Sequence, residues 1–432
     1  MLDLCLSNCK IVPGTIMCNI GVDEGKIVSI KKIPISAEKI IDVSGNIIFP
    51  GLIDSHVHMR DPGFTYKEDF RTGTEAAATG GFTTVLDMPN TKPVTNTDKA
   101  YMEKLKIAER KSLVDFGFHV GADNLDQIQK LASLKPASFK IFMDLYEDDF
   151  LLKMFSKISE LTKNKDYKPV VSLHAEDNKI VDHCTQIKKS EGELNPTIYI
   201  EARPSQAEEV AVSKAISFAN KFNLNIHICH ASVKKSLDLI INAKNDGCNI
   251  TSEITPHHLF LDSEYLTKFG SFAKTNPPLR KVADKICLKD LHLTDLIGTD
   301  HAPHTIGEKK HNIWDAPPGI PGLETALPLL LTKVNQNKMS FVDVKRLLCE
   351  NPARIFNIPN KGFIKEGMDA DFVVVDMKKG DIIKPENFHS KAHYSPFESF
   401  KVKGLPIMTI VRGNVVMIDG EIIDNSGKFV YS

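Results

Sequence analysis

The sequence has no surplus of charge, with 54 Lys+Arg against 55 Asp+Glu and a formal net of -1. That excludes a globally basic nucleic-acid binder, because neutralising phosphates demands an excess of cations on some face. Long apolar runs are lacking as well. None approaches the roughly 18 residues of a membrane-spanning helix, and the opening residues lack the basic start and apolar stretch of a secretory signal. A cytoplasmic protein is expected, with no nucleic-acid and no membrane partner. The 8 Cys are scattered without a Cys-x-x-Cys pair or a small framework, which points to reduced thiols. There is no internal repeat and no low-complexity segment.

What is present is globular in kind. The 42% hydrophobic and 25% charged fractions exclude disordered and collagen-like classes. A chain of 432 residues predicts two or three domains, unless one long domain absorbs most of it. The first fifty or so residues read as short strands between turn signals, such as Lys26-Ile27-Val28-Ser29-Ile30, and the last sixty-odd have the same texture, as in Phe372-Val373-Val374-Val375-Asp376. Between them about eight apolar β-branched runs, near 53–58, 83–87, 114–120, 138–142, 170–174, 225–230, 249–253 and 296–299, alternate with segments of helical period at 70–78, 97–111, 148–163, 207–222 and 233–243. Such alternation indicates a parallel sheet buried on both faces. Eight units suggest an α/β fold, a (β/α)8 TIM-like barrel, with a small composite β domain formed by both termini. The boundaries expected are 1–50 and 356–432 for the two parts of the β domain and 51–355 for the barrel. A doubly wound open sheet is the competing architecture.

Polar residues close several of these runs. Residues i and i+2 of a strand share a face, so His56 and His58 in Asp54-Ser55-His56-Val57-His58-Met59-Arg60 can reach one point together. Imidazole suits divalent metals. His174 closes one later run, His227 and His230 another, and Asp300 follows the last. In a barrel these ends converge on one mouth, where active sites lie. Lys140 sits in an apolar strand end, where a charged amine is costly to bury unless paired. It either snorkels or pairs with Asp144, or its amine is carboxylated and the carbamate bridges two metal ions. Cys229, beside His230, reads as buried packing, although a thiol there could take an extra metal.

These residues carry a resemblance. His56-Val57-His58-Met59-Arg60-Asp61-Pro62-Gly63, Asp87-Met88-Pro89-Asn90-Thr91, Leu173-His174-Ala175-Glu176-Asp177, Thr255-Pro256-His257-His258-Leu259, Asn276-Pro277-Pro278-Leu279-Arg280 and Asp300-His301-Ala302-Pro303-His304 occur together and in order. From about Gly45 to Arg412 the chain resembles the class I dihydroorotases, in the cyclic-amidohydrolase branch of the amidohydrolase superfamily. The resemblance agrees with the barrel and the composite β domain. It implies His56, His58, Lys140, His174, His230 and Asp300 as metal ligands, and leaves His227 a supporting or packing role. Lys140 stands at what resembles the bridging position of the fused animal enzymes and of hydantoinases, whereas many bacterial members have an aspartate bridge or a single metal.

The implied cofactor is Zn2+, two ions per subunit bridged by carboxylated Lys140. The implied activity is the reversible cyclisation of N-carbamoyl-L-aspartate to (S)-dihydroorotate in pyrimidine biosynthesis. An activated water attacks the ring amide, with Asp300 as general base and then general acid. Arg60, Asn90, Asn276 and His304 are the expected substrate-binding residues, Arg60 because a guanidinium matches a carboxylate and, if the first barrel strand persists, shares a face with His58. The loop Pro317-Pro318-Gly319-Ile320-Pro321-Gly322 is expected to add backbone contacts, and the stretch around Leu145-Tyr146 is a candidate lid. A homodimer and association with aspartate transcarbamoylase are the partners the resemblance allows. The alternatives are a hydantoinase or allantoinase, or a non-catalytic partner of aspartate transcarbamoylase.

Overall fold

Strands covered on both faces must be apolar along most of their length, and the centre of the chain supplies a run of them. The computed structural model describes residues 1–13, 16–163 and 168–431. The N-terminal strands are β1 (Leu2–Ile11), β2 (Met17–Asp23), β3 (Lys26–Lys31), β4 (Ala37–Asp42) and β5 (Ile47–Pro50). The central ones are β6 (Leu52–Val57), β7 (Phe82–Asp87), β8 (Asp115–Gly121), β9 (Ser138–Phe142), β10 (Val170–His174), β11 (Asn225–Ile228), β12 (Ile250–Ile254) and β13 (Leu296–Ile297). The C-terminal set is β14 (Phe372–Ile382), β15 (Lys401–Val411), β16 (Asn414–Ile418) and β17 (Glu421–Ile422).

Strands β6 to β13 form one sheet of 8 in chain order, each parallel to the next. A parallel bridge between Val57 and His301, just beyond β13, joins the last strand to the first. The sheet is therefore a closed barrel, and the open doubly wound alternative falls away. β6, β7, β8 and β10 are buried at every position, as strands between a filled interior and an outer layer of helices must be. The last strand is shorter than the expected 296–299. Gly298 N–H still reaches the Ile254 carbonyl, but Thr299 N–H turns to Asp54 Oδ1 at 3.1 Å, and the Thr299 hydroxyl also donates to that carboxylate.

The helices follow their local chemistry. Helix Phe70–Thr79 starts where Asp69 accepts from Arg71 and Thr72 N–H, and its Ala76, Ala77 and Ala78 let it lie close on the barrel. Helix Asp98–Lys111 is capped by Thr97. It buries Lys104, whose ammonium lies 2.6 Å from Asp87 at the end of β7 and donates to the Met88 carbonyl, fixing the strand end beside Asn90. The 148–163 segment is α-helical only over Asp148–Ser159 and tightens to a 3-10 turn over Glu160–Lys163. Among the described residues no helix is long and apolar enough to cross a membrane.

The two ends of the chain share a second, mixed sheet of order β17-β16-β15-β14-β5-β1-β2-β3, with β4 added beside β1. Its joint is the antiparallel pairing of β14 with β5, Phe372 opposite Pro50. Between β5 and the first barrel strand stands Gly51, where a Cβ would come within 2.1 Å of Thr83 Oγ1 and 2.8 Å of Asp371 Cβ. Only glycine lets the sheet sit this close to the barrel. Beside it Lys361 is buried among Asp115, Asp369 and Asp371, at 2.6 Å from Asp371 Oδ2 and 2.9 Å from Asp369 Oδ2, while Arg412 takes the other side of Asp115. The C-terminal residues return to the barrel, where Phe429 bridges Phe116 and Val430 packs with Ile53, Leu86, Val170 and Leu296 under the strand starts.

Removing Lys361 takes the shared cation from between three carboxylates, leaving Arg412 on the far side of Asp115 and Lys26 on Asp369 but no side-chain cation on Asp371. Lys361→Met should cost about 3–5 kcal/mol and lower the midpoint of thermal unfolding by several degrees. A midpoint equal to that of the parent chain would show that the cluster does not hold the sheet to the barrel.

Candidate active site

At the C-terminal ends of the barrel strands His56, His58, Arg60, Asn90, His174, His230, Asn276, Asp300 and His304 all line one cavity of about 310 Å³. β6 ends at Val57, so His58 and Arg60 lie beyond it. The strand does not persist to Arg60, as the shared-face argument requires. Arg60 reaches the cavity because its backbone turns left-handed, at φ 59°. His230 (36°) and Asp300 (48°) turn the same way shortly after β11 ends at Ile228 and β13 at Ile297. Such backbone is unfavourable for these side chains and persists only where the surroundings over-determine it.

His56 Nε2 and His58 Nε2 lie 3.3 and 3.0 Å from the same Asp300 oxygen, Oδ1. Their other nitrogens face backwards: His56 Nδ1 donates to Glu253, and His58 Nδ1 donates to Asn90 Oδ1 at 2.7 Å. Each rear hydrogen bond keeps Nδ1 as the donor and aims Nε2, the atom a metal would take, into the cavity. A second pair lies opposite, with His174 Nδ1 at 3.0 Å from His230 Nε2. His174 Nε2 donates to Glu176 at 3.0 Å, and Arg203 braces that carboxylate and Asp144 at 2.6 and 2.7 Å. His230 backbone N–H donates to Glu253.

Separations of 3.0–3.3 Å are what two ligands have when both bind one ion at about 2.0–2.1 Å. The donor set, imidazole nitrogens with one carboxylate, suits a borderline divalent metal. Electrostatics agree. Burial would lower His56, but Glu253 and Asp300 outweigh it and hold the imidazole well above its ordinary range. Burial would raise Asp300, yet His56 and His58 keep it well below the usual carboxylate range. His58 is pushed down to about 4, mainly by burial. Burial, then the charges of His174, His56 and Lys140, likewise lower His230. A divalent cation would neutralise the surplus of negative charge that holds a proton on His56.

Lys140, on β9, is buried beside this cluster. It neither snorkels nor pairs with Asp144, which Arg203 occupies. Its ammonium lies 2.9 Å from Cys229 Sγ, and among the described residues no carboxylate is within ion-pair distance. Cys229 is buried, and its thiol is close enough to His56 and Glu253 to share an ion with them. His227 stands behind Glu253, 3.4 Å from Oε2.

At the other end of the cavity Arg60 has no carboxylate partner among the described residues, because Asp61 pairs with Lys111 and Asp69 with Lys391. Arg60 Nε donates to the Pro303 carbonyl at 3.2 Å, and its terminal Nη2 lies 3.1 Å from His304 Nε2. Lys67 donates to His304 Nδ1 at 3.2 Å, which puts the ring proton on Nε2, 3.0 Å from the Pro318 carbonyl. Burial, then Arg60, Lys67 and Lys309, push His304 far below its ordinary value, so the ring is neutral. Two N–H groups thus face one another, an arrangement an incoming anion resolves. Asn276 Oδ1 accepts from Tyr199 at 2.6 Å, leaving its amide N–H groups for the cavity. Leu145, in the candidate lid, stands 64% exposed on the rim, as unpartnered apolar surface over a polar cavity.

Sequence reasoning missed the supporting carboxylates and cations. Glu253 closes one of the apolar runs that drew attention to the histidines, and the same rule finds it. Glu176 sits two residues after His174. Arg203 comes from the head of a distant helix, Ser205–Phe222, and Lys67 from a loop, and no local pattern marks either.

The Amidohydrolase family profile matches residues 47–416. The dihydroorotase of Methanothermobacter thermautotrophicus is 47% identical over 431 residues, 100% of this chain and 97% of that protein. The dihydroorotase of Methanosphaera stadtmanae is 48% identical over 437 residues, 100% of both chains. Among solved structures, the L-hydantoinase (dihydropyrimidinase) from Arthrobacter aurescens superposes with a TM-score of 0.94 at 31% identity, covering 100% of both chains. The profile spans the barrel together with strands of the composite sheet, and the curated relatives match from end to end: the chain belongs to the amidohydrolase family, among the dihydroorotases.

Proposed function

We propose that the chain is a dihydroorotase, which opens and closes the ring amide between (S)-dihydroorotate and N-carbamoyl-L-aspartate in pyrimidine synthesis. The observation that carries the substrate is Arg60. It is a buried guanidinium without a carboxylate partner among the described residues, with Nη2 3.1 Å from the Nε2 of a neutral His304. A ring bearing a carboxylate satisfies the guanidinium and gives the crowded His304 N–H a second acceptor, while a hydantoin or allantoin ring leaves the cation buried and alone. The hydantoinase reading shares the imidazole frame and yields to this difference.

His56, His58 and Asp300 would hold one zinc ion, His174 and His230 the other, and carboxylated Lys140 would bridge them. The lack of a carboxylate within ion-pair distance of Lys140, among the described residues, supports the carbamate, which would replace a buried cation by an anionic ligand. Bound there, zinc would lower the pKa of a water and polarise the ring carbonyl. Arg60 and His304 hold the substrate carboxylate, and the amide groups of Asn90 and Asn276 steer the ring, each with its carbonyl oxygen already engaged. The Pro318–Gly319 backbone walls the ring on one side. Asp300, kept ionised by its two imidazoles, takes the proton from the attacking water and returns it to the departing ring nitrogen. In the cyclising direction the same carboxyl moves the proton the other way.

Zinc-loaded protein should hydrolyse L-dihydroorotate and leave 5-substituted hydantoins and allantoin largely untouched when each is assayed alone. Preference for an uncharged ring would sink the substrate assignment. Arg60→Met should lose about 1.5–3 kcal/mol of substrate binding, a rise in KM of about 10- to 100-fold, with thermal stability nearly unchanged. An unaltered KM would remove Arg60 from the carboxylate site. Asp300→Asn should lower kcat by about 10²–10⁴-fold while metal analysis still finds most of the bound zinc. Near-normal turnover in that variant would assign the proton transfer elsewhere.

A further inference from the structure

Two buried lysines stand behind the His304 end of the cavity, and nothing in the chemistry above uses them. Lys274 and Lys309 are 3% and 0% exposed, so water reaches neither ammonium. A buried cation ordinarily carries a carboxylate with it. Among the described residues neither of these has one within ion-pair distance. Each is surrounded by carbonyls instead. Lys274 Nζ donates to Ile313 O at 2.6 Å, Ala316 O at 2.6 Å and Trp314 O at 3.3 Å. Lys309 Nζ donates to Pro317 O and Gly319 O at 3.0 Å and to Lys274 O at 3.3 Å. An ammonium has three donors, and nearly all six are spent on one strap, residues 313–319.

That strap is a wall of the cavity. Pro318 O accepts from His304 Nε2, and Gly319 N–H donates to Lys274 O at 2.9 Å. Gly319, at φ 138°, packs so tightly on the 300–304 loop that a Cβ would meet Ala302 O at 2.4 Å. Carbonyl dipoles solvate a cation without cancelling its charge. The acids felt at the two lysines are Asp315 at Lys274 and Glu308 at Lys309, neither within ion-pair distance, and Glu308 is held by Lys67 at 2.8 Å. The charge of Lys309 is felt at His304, and Lys309 in turn is lowered by burial first and then by Lys274 and Arg60. Burial and crowding of this kind weaken the hold of each lysine on its proton, and a carboxylate arriving at Arg60 strengthens it.

We propose that Lys274 and Lys309 are positioning residues that make the cavity selective for an anionic ring: their carbonyl cages hold the 313–319 strap against His304, and their ammonium groups, ion-paired to no carboxylate among the described residues, favour a carboxylate at Arg60. The inference rests on the dihydroorotase reading and extends it to residues that never touch the substrate.

The test uses the zinc-loaded full chain. Lys309→Gln keeps N–H donors for the carbonyl cage and removes the charge. Lys274→Gln does the same one cage away and is read in its place if the first variant does not fold. For each, kcat and KM with L-dihydroorotate are measured, together with the inhibition constant of its uncharged methyl ester. The expected result is a KM raised about tenfold or more, kcat within about threefold, and ester affinity unchanged within about twofold. A folded, zinc-loaded variant with unchanged KM overturns the proposal, as does an equal loss of affinity for acid and ester, which is what a purely structural role produces. The wild-type protein separates the two readings. Absence of dihydroorotate turnover there counts against the proposed function, whereas normal turnover with an unchanged variant KM counts against the lysines alone.

Discussion

The carboxylate of Glu253, buried at the end of β12, accepts from the imidazole of His56 and the backbone N–H of His230, with His227 standing behind it. Ionised oxygen without water is sustainable only where donors replace its hydration shell. Here they do, and His56 and His227 hold Glu253 well below the usual carboxylate range although burial alone would raise it. Much else hangs on that one group. It turns His56 so that Nε2 meets Asp300, and it pins the backbone of His230 in a left-handed turn that brings its Nε2 to His174. One side chain thereby sets the aim of a residue in each of the two imidazole pairs.

The opposite end of the cavity is organised by cations rather than by a carboxylate. Arg60, Lys67 and Lys309 act on a neutral His304, with Lys274 one carbonyl cage further back, and except for Lys67, which pairs with Glu308, their contacts run largely to carbonyl oxygens. Negative charge gathers where metal would sit and positive charge where a substrate carboxylate would sit, within a cavity of about 310 Å³. A zwitterionic cavity of this kind orients a polar ring before any contact is made, because only one direction places each end of the ring in a favourable field.

Much of this was legible in the sequence for a simple reason. Barrel strands are short and apolar, so a histidine or aspartate at the end of one stands out, and His56, His58, His174, His230 and Asp300 all do. The barrel itself was legible from the same alternation, and so was the pairing of the two chain ends. Reach was harder to read. Arg60 arrives by a left-handed turn rather than by strand alternation, and the choice between Asp144 and no partner for Lys140 depended on Arg203, which comes from sixty residues further on and claims Asp144 first. The cages around Lys274 and Lys309 are built from backbone oxygens, which carry no residue signature at all.

The stitch between Asp54 and Thr299 has a further meaning when the chain is considered as something that must assemble. It spans 245 residues, and so nearly do the contacts of His56 and His58 with Asp300. The seam that closes the barrel and the seam at which the imidazoles meet their carboxylate are the same line. Contacts of such separation carry a large loop-closure cost and come late. A partly wound barrel therefore has His174 beside His230 but lacks the other half of the site. An ion held by His56, His58 and Asp300 would favour only the closed ring, and so would act as a clasp on the first and last strands.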